Sequence, residues 1–124
     1  MSAVGWIGLV VAGAVGAPAR YLLDGWVRDR TGGDRPWGTF AVNASGSLIL
    51  GVVAGLALYH GLPETSRVVL GTGFCGAYTT FSTFTFATVT LVEDGLTAAA
   101  VVNALGTLLV CAGAAAAGLA LAGL

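Results

Sequence analysis

Charged side chains fall in three short places, Arg20 to Arg35, Glu64 to Arg67 and Glu93-Asp94, and the stretches between them carry none. Those stretches, Met1 to Ala19, Pro36 to Pro63, Val68 to Val92 and Gly95 to Leu124, reach or approach the ~20 residues that cross a ~30 Å hydrocarbon core. The pattern predicts an all-α membrane protein, a single transmembrane domain over residues 1–124 with spans at about 4–23, 37–60, 67–92 and 96–122. Asp24 to Arg35, with Thr31, Gly32 and Gly33 among alternating charges, reads as a polar loop. Pro36 opens the second span and His60-Gly61-Leu62-Pro63 stops it.

Trp6, Tyr21, Trp26, Trp37 and Tyr59 fall near span ends, where amphipathic rings settle at the headgroup level. His60 shares that depth, and with no second ligand at metal spacing it reads as an interfacial residue. The first stretch lacks a basic n-region, and Arg20-Tyr21 stands where a small-residue cleavage site is wanted. It is therefore expected to be a span and not a secretory signal.

Composition agrees: 56% of the residues are hydrophobic and 9% charged, far below the ~25% charged of a soluble domain. The expected place is the cell membrane, multi-pass, with lipid around the chain. A net charge of −1 without a basic run excludes nucleic acid as a partner. Cys75 and Cys111 both lie in apolar spans without Cys-x-x-Cys spacing, and read as small buried thiols. No His, Asp or paired Cys stands where a nucleophile or metal centre could be assembled, so no enzyme is expected. Small residues let helices approach closely in lipid, and Gly51-x-x-x-Gly55 and Ala12-x-x-x-Gly16 are such contacts. Small faces on several short spans predict packing against another subunit, a dimer at least.

Polar residues inside the spans carry the candidate chemistry. Val42-Asn43-Ala44-Ser45-Gly46-Ser47-Leu48 recurs as Val102-Asn103-Ala104-Leu105-Gly106-Thr107-Leu108, and an asparagine is costly enough in lipid that both are expected to face protein or water. Thr39, Asn43 and Ser47 form one uncharged stripe on the second span, within an arc of ~80° at 3.6 residues per turn. In the third span seven of the twelve residues Thr79 to Thr90 are Ser or Thr, interleaved with Phe81, Phe84 and Phe86 and preceded by Gly71-Thr72-Gly73-Phe74-Cys75-Gly76. Glycines followed by hydroxyl residues predict a break near Gly76 to Thr79, whose freed carbonyls are ion ligands. The same composition also describes a packing notch with hydroxyls bonded to the preceding turn, and the residues alone leave the two readings level. Amide and hydroxyl donors beside two phenylalanine edges suit a small anion, because a fixed cation in a pore would hold the ion too tightly. Core packing is the competing account of Phe81 and Phe84.

Several segments resemble the fluoride-specific channels of the Fluc (CrcB) family: Gly16-Ala17-Pro18-Ala19-Arg20-Tyr21; Trp37-Gly38-Thr39-Phe40-Ala41-Val42-Asn43 with Gly46-Ser47; Gly73 through Phe84 with its Thr-Thr-Phe-Ser-Thr-Phe run; and Asn103 with Gly106-Thr107. The resemblance covers essentially the whole chain. It implies an antiparallel, dual-topology dimer with two fluoride pores at the interface and a structural sodium ion held by carbonyls of the broken third helices. By motif position the sodium ligands are Gly76 and Thr79, Phe81 and Phe84 the aromatic pair whose edges meet fluoride, and Asn43 the amide that orients or coordinates it. Thr39, Ser82 and Thr83 are candidates for the polar track, with Asn103 and Thr107 beyond them. Two positions depart from the family pattern: Ala77 replaces a second glycine, and Ala87 an acidic residue three positions after the second phenylalanine. The second departure leaves open a homodimer or a heterodimer with a paired homologue.

Arg28, Arg30 and Arg35 lie on the side of the first and third loops, against Arg67 on the other, so that side is expected to face the cytoplasm. A dual-topology exporter of small cations is the competing function, but it wants a membrane-embedded carboxylate, and no span holds one. A non-conducting partner or scaffold explains the small residues and leaves the hydroxyl-rich span unexplained.

Overall fold

The computed structural model describes residues 1–124, all of them in helices or the short turns between helices. Helix α1 is Ala3–Thr31, opened by Ser2, whose hydroxyl accepts the Gly5 amide at 3.2 Å, and closed by Gly32 at φ 84°. At 29 residues it measures ~44 Å, longer than a hydrocarbon core is thick. The extra length is the stretch expected to be a polar loop. Asp24 to Thr31 stay helical because their polar groups sit one turn apart and satisfy one another. Arg28 pairs with Asp24 at 2.6 Å, Arg30 lies 3.8 Å over the Trp26 ring, and the Thr31 hydroxyl donates to the Val27 carbonyl. Only Gly32 and Gly33, both at positive φ, end the helix.

Helix α2 is Trp37–His60, ended by Gly61 at φ 67°. A short helix α3, Glu64–Arg67, runs without interruption into a π-helical stretch, Val68–Cys75, and a last turn, α4, Gly76–Tyr78. Beyond the hydrocarbon, the Arg67 guanidinium bonds the Glu64 carboxylate and holds it below the usual carboxylate range. At Thr79 the backbone becomes extended, φ −81° and ψ 162°. It returns to helix in α5, Ser82–Glu93, and after a turn at Gly95 in α6, Thr97–Ala122.

Three helices, α1, α2 and α6, are long and apolar enough to cross a membrane, with mean hydropathies of 1.5, 1.8 and 2.0. The remaining apolar stretch, 67–92, is two half-length pieces around the break. The break falls at the far end of the expected stretch, Gly76 to Thr79. Gly76 is itself right-handed helical at φ −63°, and Thr79 is the first residue to leave the helix.

Helices α2 and α6 run parallel, because Gly51 meets Ala115 and Gly55 meets Leu119 and Ala122. A Cβ on Gly51 would run into the Ala115 carbonyl, and one on Gly118 into the Leu48 carbonyl. Helix α1 lies on the first half of the broken span in the same way, Gly16 against the Phe74 carbonyl and Ala12 against Gly73. Both small-residue motifs that suggested a second subunit are thus spent within the chain. Their ends are tied as well, the His60 ring nitrogen lying 2.6 Å from the Ala122 carbonyl. Only 17 of 124 residues are buried, so most of the apolar surface needs lipid or another chain to cover it.

A leucine at Gly51 is expected to force α2 from α6 and cost about 1–3 kcal/mol of stability. The same change at Gly113, where nothing lies within 4 Å, is expected to be neutral. Thermal unfolding in detergent compares the two, and equal midpoints would contradict this packing.

Candidate functional site

The break is shaped by side chains that take over backbone partners. Thr79 stays attached to the preceding turn, donating both its amide (2.9 Å) and its hydroxyl (2.8 Å) to the Cys75 carbonyl. The next amide defects. In a continuing helix the Thr80 N–H would seek the Gly76 carbonyl, but here it donates to Asn43 Oδ1 at 2.9 Å, while Asn43 Nδ2 donates to the Thr80 carbonyl at 2.9 Å. One asparagine side chain thus substitutes for a helical turn. From the other side Arg20, half-buried in α1, donates through Nη1 to the Thr79 carbonyl at 3.2 Å. The second half restarts on a cap: the Thr80 hydroxyl accepts the Thr83 amide at 3.2 Å and donates to the Thr83 hydroxyl at 3.1 Å.

Close approach makes this possible. A Cβ on Gly46 would collide with the Thr79 methyl, so only glycine lets α2 carry Asn43 to the break. Tyr78, stacked on Phe74 at 5.4 Å between centroids, fixes the end of α4 by a 2.8 Å bond between its hydroxyl and Ser45.

Beside the break an open groove of about 400 Å³ runs between α2, α6 and both halves of the third span. Asn43, Ser47, Gly76, Thr79, Thr80, Phe81, Phe84, Thr107 and Cys111 line it, and no lining residue is charged. Phe81 and Phe84 stand 6.0 Å apart with their planes at 47°, and Phe81 is 76% exposed, so it is no core residue. The Thr107 hydroxyl is buried without a hydrogen-bond partner. Gly76 is exposed with open space over its Cα, and its carbonyl has lost the Thr80 amide. It is a neutral oxygen of the kind a small alkali cation takes. The Thr79 carbonyl shares its lone pairs with Arg20.

The other residues singled out from the sequence go elsewhere. Thr39 and Thr83 line a smaller pocket of about 180 Å³ across the break, together with Arg20, Asp24 and Thr80. Asn103 lies in a third pocket between α2, α5 and α6, donating to the Thr88 hydroxyl at 2.8 Å, and Thr107 borders both this pocket and the groove. Ser82 is exposed and lines none of these three. The polar stripe of α2 therefore passes the break, with Thr39 on one side and Ser47 on the other. The duplicated asparagines both reach from parallel helices to the third span. Sequence reasoning missed Ser45, Tyr78 and Thr80 as supports; for Arg20, a charge at the edge of an uncharged run was the available signal.

Residues 7–119 match the family described as CrcB-like protein, Camphor Resistance (CrcB). The chain is 46% identical over 118 residues to fluoride-specific ion channel FluC 1 of Leifsonia xyli, covering 95% of this chain and 86% of that protein. It is 46% identical over 122 residues to FluC 1 of Frankia casuarinae, covering 94% and 95%. It is 47% identical over 105 residues to FluC 2 of Moorella thermoacetica, covering 84% of each.

Replacing Asn43 by alanine removes both bonds to Thr80 and is expected to cost about 1–3 kcal/mol locally. Amide exchange followed by mass spectrometry is expected to show Thr80 and its neighbours losing protection while α6 keeps it. Unchanged protection at Thr80 would contradict the clamp.

Proposed function

The chain belongs to the CrcB-like family, ion channels and not enzymes, and from that premise we propose that it is a subunit of a fluoride-specific channel in the cell membrane, relieving fluoride toxicity by letting the ion leave the cytoplasm. The carrying observation is the uncharged groove at the broken span, where Asn43, Phe81 and Phe84 converge. A small anion entering it must exchange water for donors. The second amide hydrogen of Asn43, the hydroxyls of Ser47 and Thr107, and the positive ring edges of Phe81 and Phe84 are available, and none binds so strongly as to prevent release. Thr39 and Thr83, in the pocket across the break, and Asn103, in the pocket that meets the groove at Thr107, would carry the polar path beyond the groove, with the exposed Ser82 beside the break.

The groove is open and Phe81 projects from it, which supports a pore completed by a second subunit. The exposed Gly76 backbone lies on that open side. The carbonyls of Gly76 and Thr79, with their counterparts from the partner, would hold a structural sodium ion. Such an ion supplies a fixed positive charge that fastens two broken spans together. An antiparallel, dual-topology dimer brings the two like faces into register. The arginine bias toward the first and third loops supports a preferred orientation, and Ala87 together with relatives named FluC 1 and FluC 2 supports a paired homologue as partner.

Liposomes containing the purified chain, alone and with a paired homologue, are expected to release fluoride and retain chloride. Phe81→Ile and Asn43→Ala are each expected to lower fluoride flux at least about tenfold, the effect of removing a contact of ~1.4 kcal/mol. Equal passage of both halides, or flux untouched by either change, overturns the pore assignment. A C-terminal tag, probed from each side of cells expressing this chain alone, is expected to label mostly one side; equal labelling removes the case for a paired partner.

A further inference from the structure

Arg20 is the one charged group that touches the broken backbone, and the pore reading gives it no part. Its guanidinium has no carboxylate partner: Asp24, one turn further along α1, is bonded to Arg28 at 2.6 Å. Its hydrogen bond from Nη1 goes to the Thr79 carbonyl at 3.2 Å, across 59 residues of sequence. A half-buried arginine at the end of an apolar run is costly, so a site that spends it on a single carbonyl gains from that carbonyl's placement.

Thr79 is extended, so successive carbonyls there alternate in direction. The Thr80 carbonyl and amide are both held by Asn43 from α2, and the Thr79 carbonyl is held by Arg20 from α1. The Thr79–Thr80 peptide is therefore held from two helices, its carbonyl by α1 and its amide by α2, and the next carbonyl by α2 alone. The Gly76 oxygen needs no such support, since its residue remains helical. The Thr79 oxygen has no helical ladder to aim it.

We propose that Arg20 is a positioning residue for the cation site, fixing the Thr79 peptide plane so that the oxygen's second lone pair is presented beside the Gly76 carbonyl. This rests on the sodium reading above. Charge alone gives the opposite sign, because a guanidinium one atom away from a ligand oxygen repels a bound cation. The two effects are separable. If aiming dominates, removing Arg20 weakens the hold on sodium; if repulsion dominates, removing it tightens the hold.

The test is the unfolding midpoint of the purified protein as sodium replaces choline at constant ionic strength, a readout independent of ion flux. For the unaltered chain the midpoint is expected to rise with sodium to a plateau. Arg20→Gln is expected to need about 10–100 times more sodium for half the rise, the usual size of losing a group that orients a metal ligand. Arg20→Lys keeps the charge with a single-point donor and is expected to fall between the two. Ser45→Ala, which releases Tyr78 just before the break, is expected to lower the midpoint everywhere without moving the half-rise concentration. An unchanged or lower sodium requirement in Arg20→Gln overturns the inference, as does an equal shift in Ser45→Ala. Should Arg20→Gln fail to fold, a lysine variant indistinguishable from the parent overturns it. A parent chain indifferent to sodium overturns the sodium reading itself, and this inference with it.

Discussion

Everything at the centre of this molecule follows from where one backbone amide finds its acceptor. Inside a hydrocarbon slab an unpaired peptide group costs several kcal/mol, so a helix can stop there only if side chains replace its ladder. The Thr80 amide turns to Asn43, the Thr80 carbonyl accepts from the same amide group, and Arg20 takes the carbonyl before it. With those partners supplied, the third span can come apart. Without them the Thr79 and Thr80 peptide groups would stand unpaired at membrane depth, and the polar groove would lose its floor.

Glycine makes the arrangement affordable in space. Gly46 brings α2 against Thr79, Gly16 brings α1 against the Phe74 carbonyl, and Gly51 and Gly118 seat α2 on α6. These contacts use the small faces inside the chain. Beside the break, what remains outside differs from the apolar surface elsewhere: an exposed glycine backbone and a run of hydroxyls around the exposed Phe81. The helical core is self-sufficient, and the polar groove is the unfinished part.

The sequence made the helical character and the long apolar spans legible because charge is so sparse that its gaps stand out, and because Gly61 and Pro63 mark the end of α2 plainly. It was less informative about α1. The charges from Asp24 to Arg35 look like a loop when counted and like a helix when spaced, since Arg28 and Arg30 each find a partner four residues back. The break was visible in composition, and it falls at Thr79, the far end of the expected stretch, while its cause was not visible. Gly71 and Gly73 lie in the π-helical stretch, whereas the interruption depends on a residue 37 positions away. Of the site residues read from the sequence, Asn43, Phe81, Phe84 and Thr107 share a groove, and Thr39, Thr83 and Asn103 line other pockets. Their separation depends on the break, and no periodicity within one helix encodes it.

The two asparagines of the repeated heptapeptide act as two pins on one bar. Parallel helices α2 and α6 form a single packed unit, and from it Asn43 engages the third span at Thr80 while Asn103 engages it at Thr88. Two fixed points eight residues apart, one in the break just before α5 and one within it, restrict α5 from sliding along its axis. With α5 pinned at both points, the freest group at the groove is the exposed Phe81 ring, whose torsions belong to the picosecond-to-nanosecond range of exposed side chains and not to the slower swing of a helix.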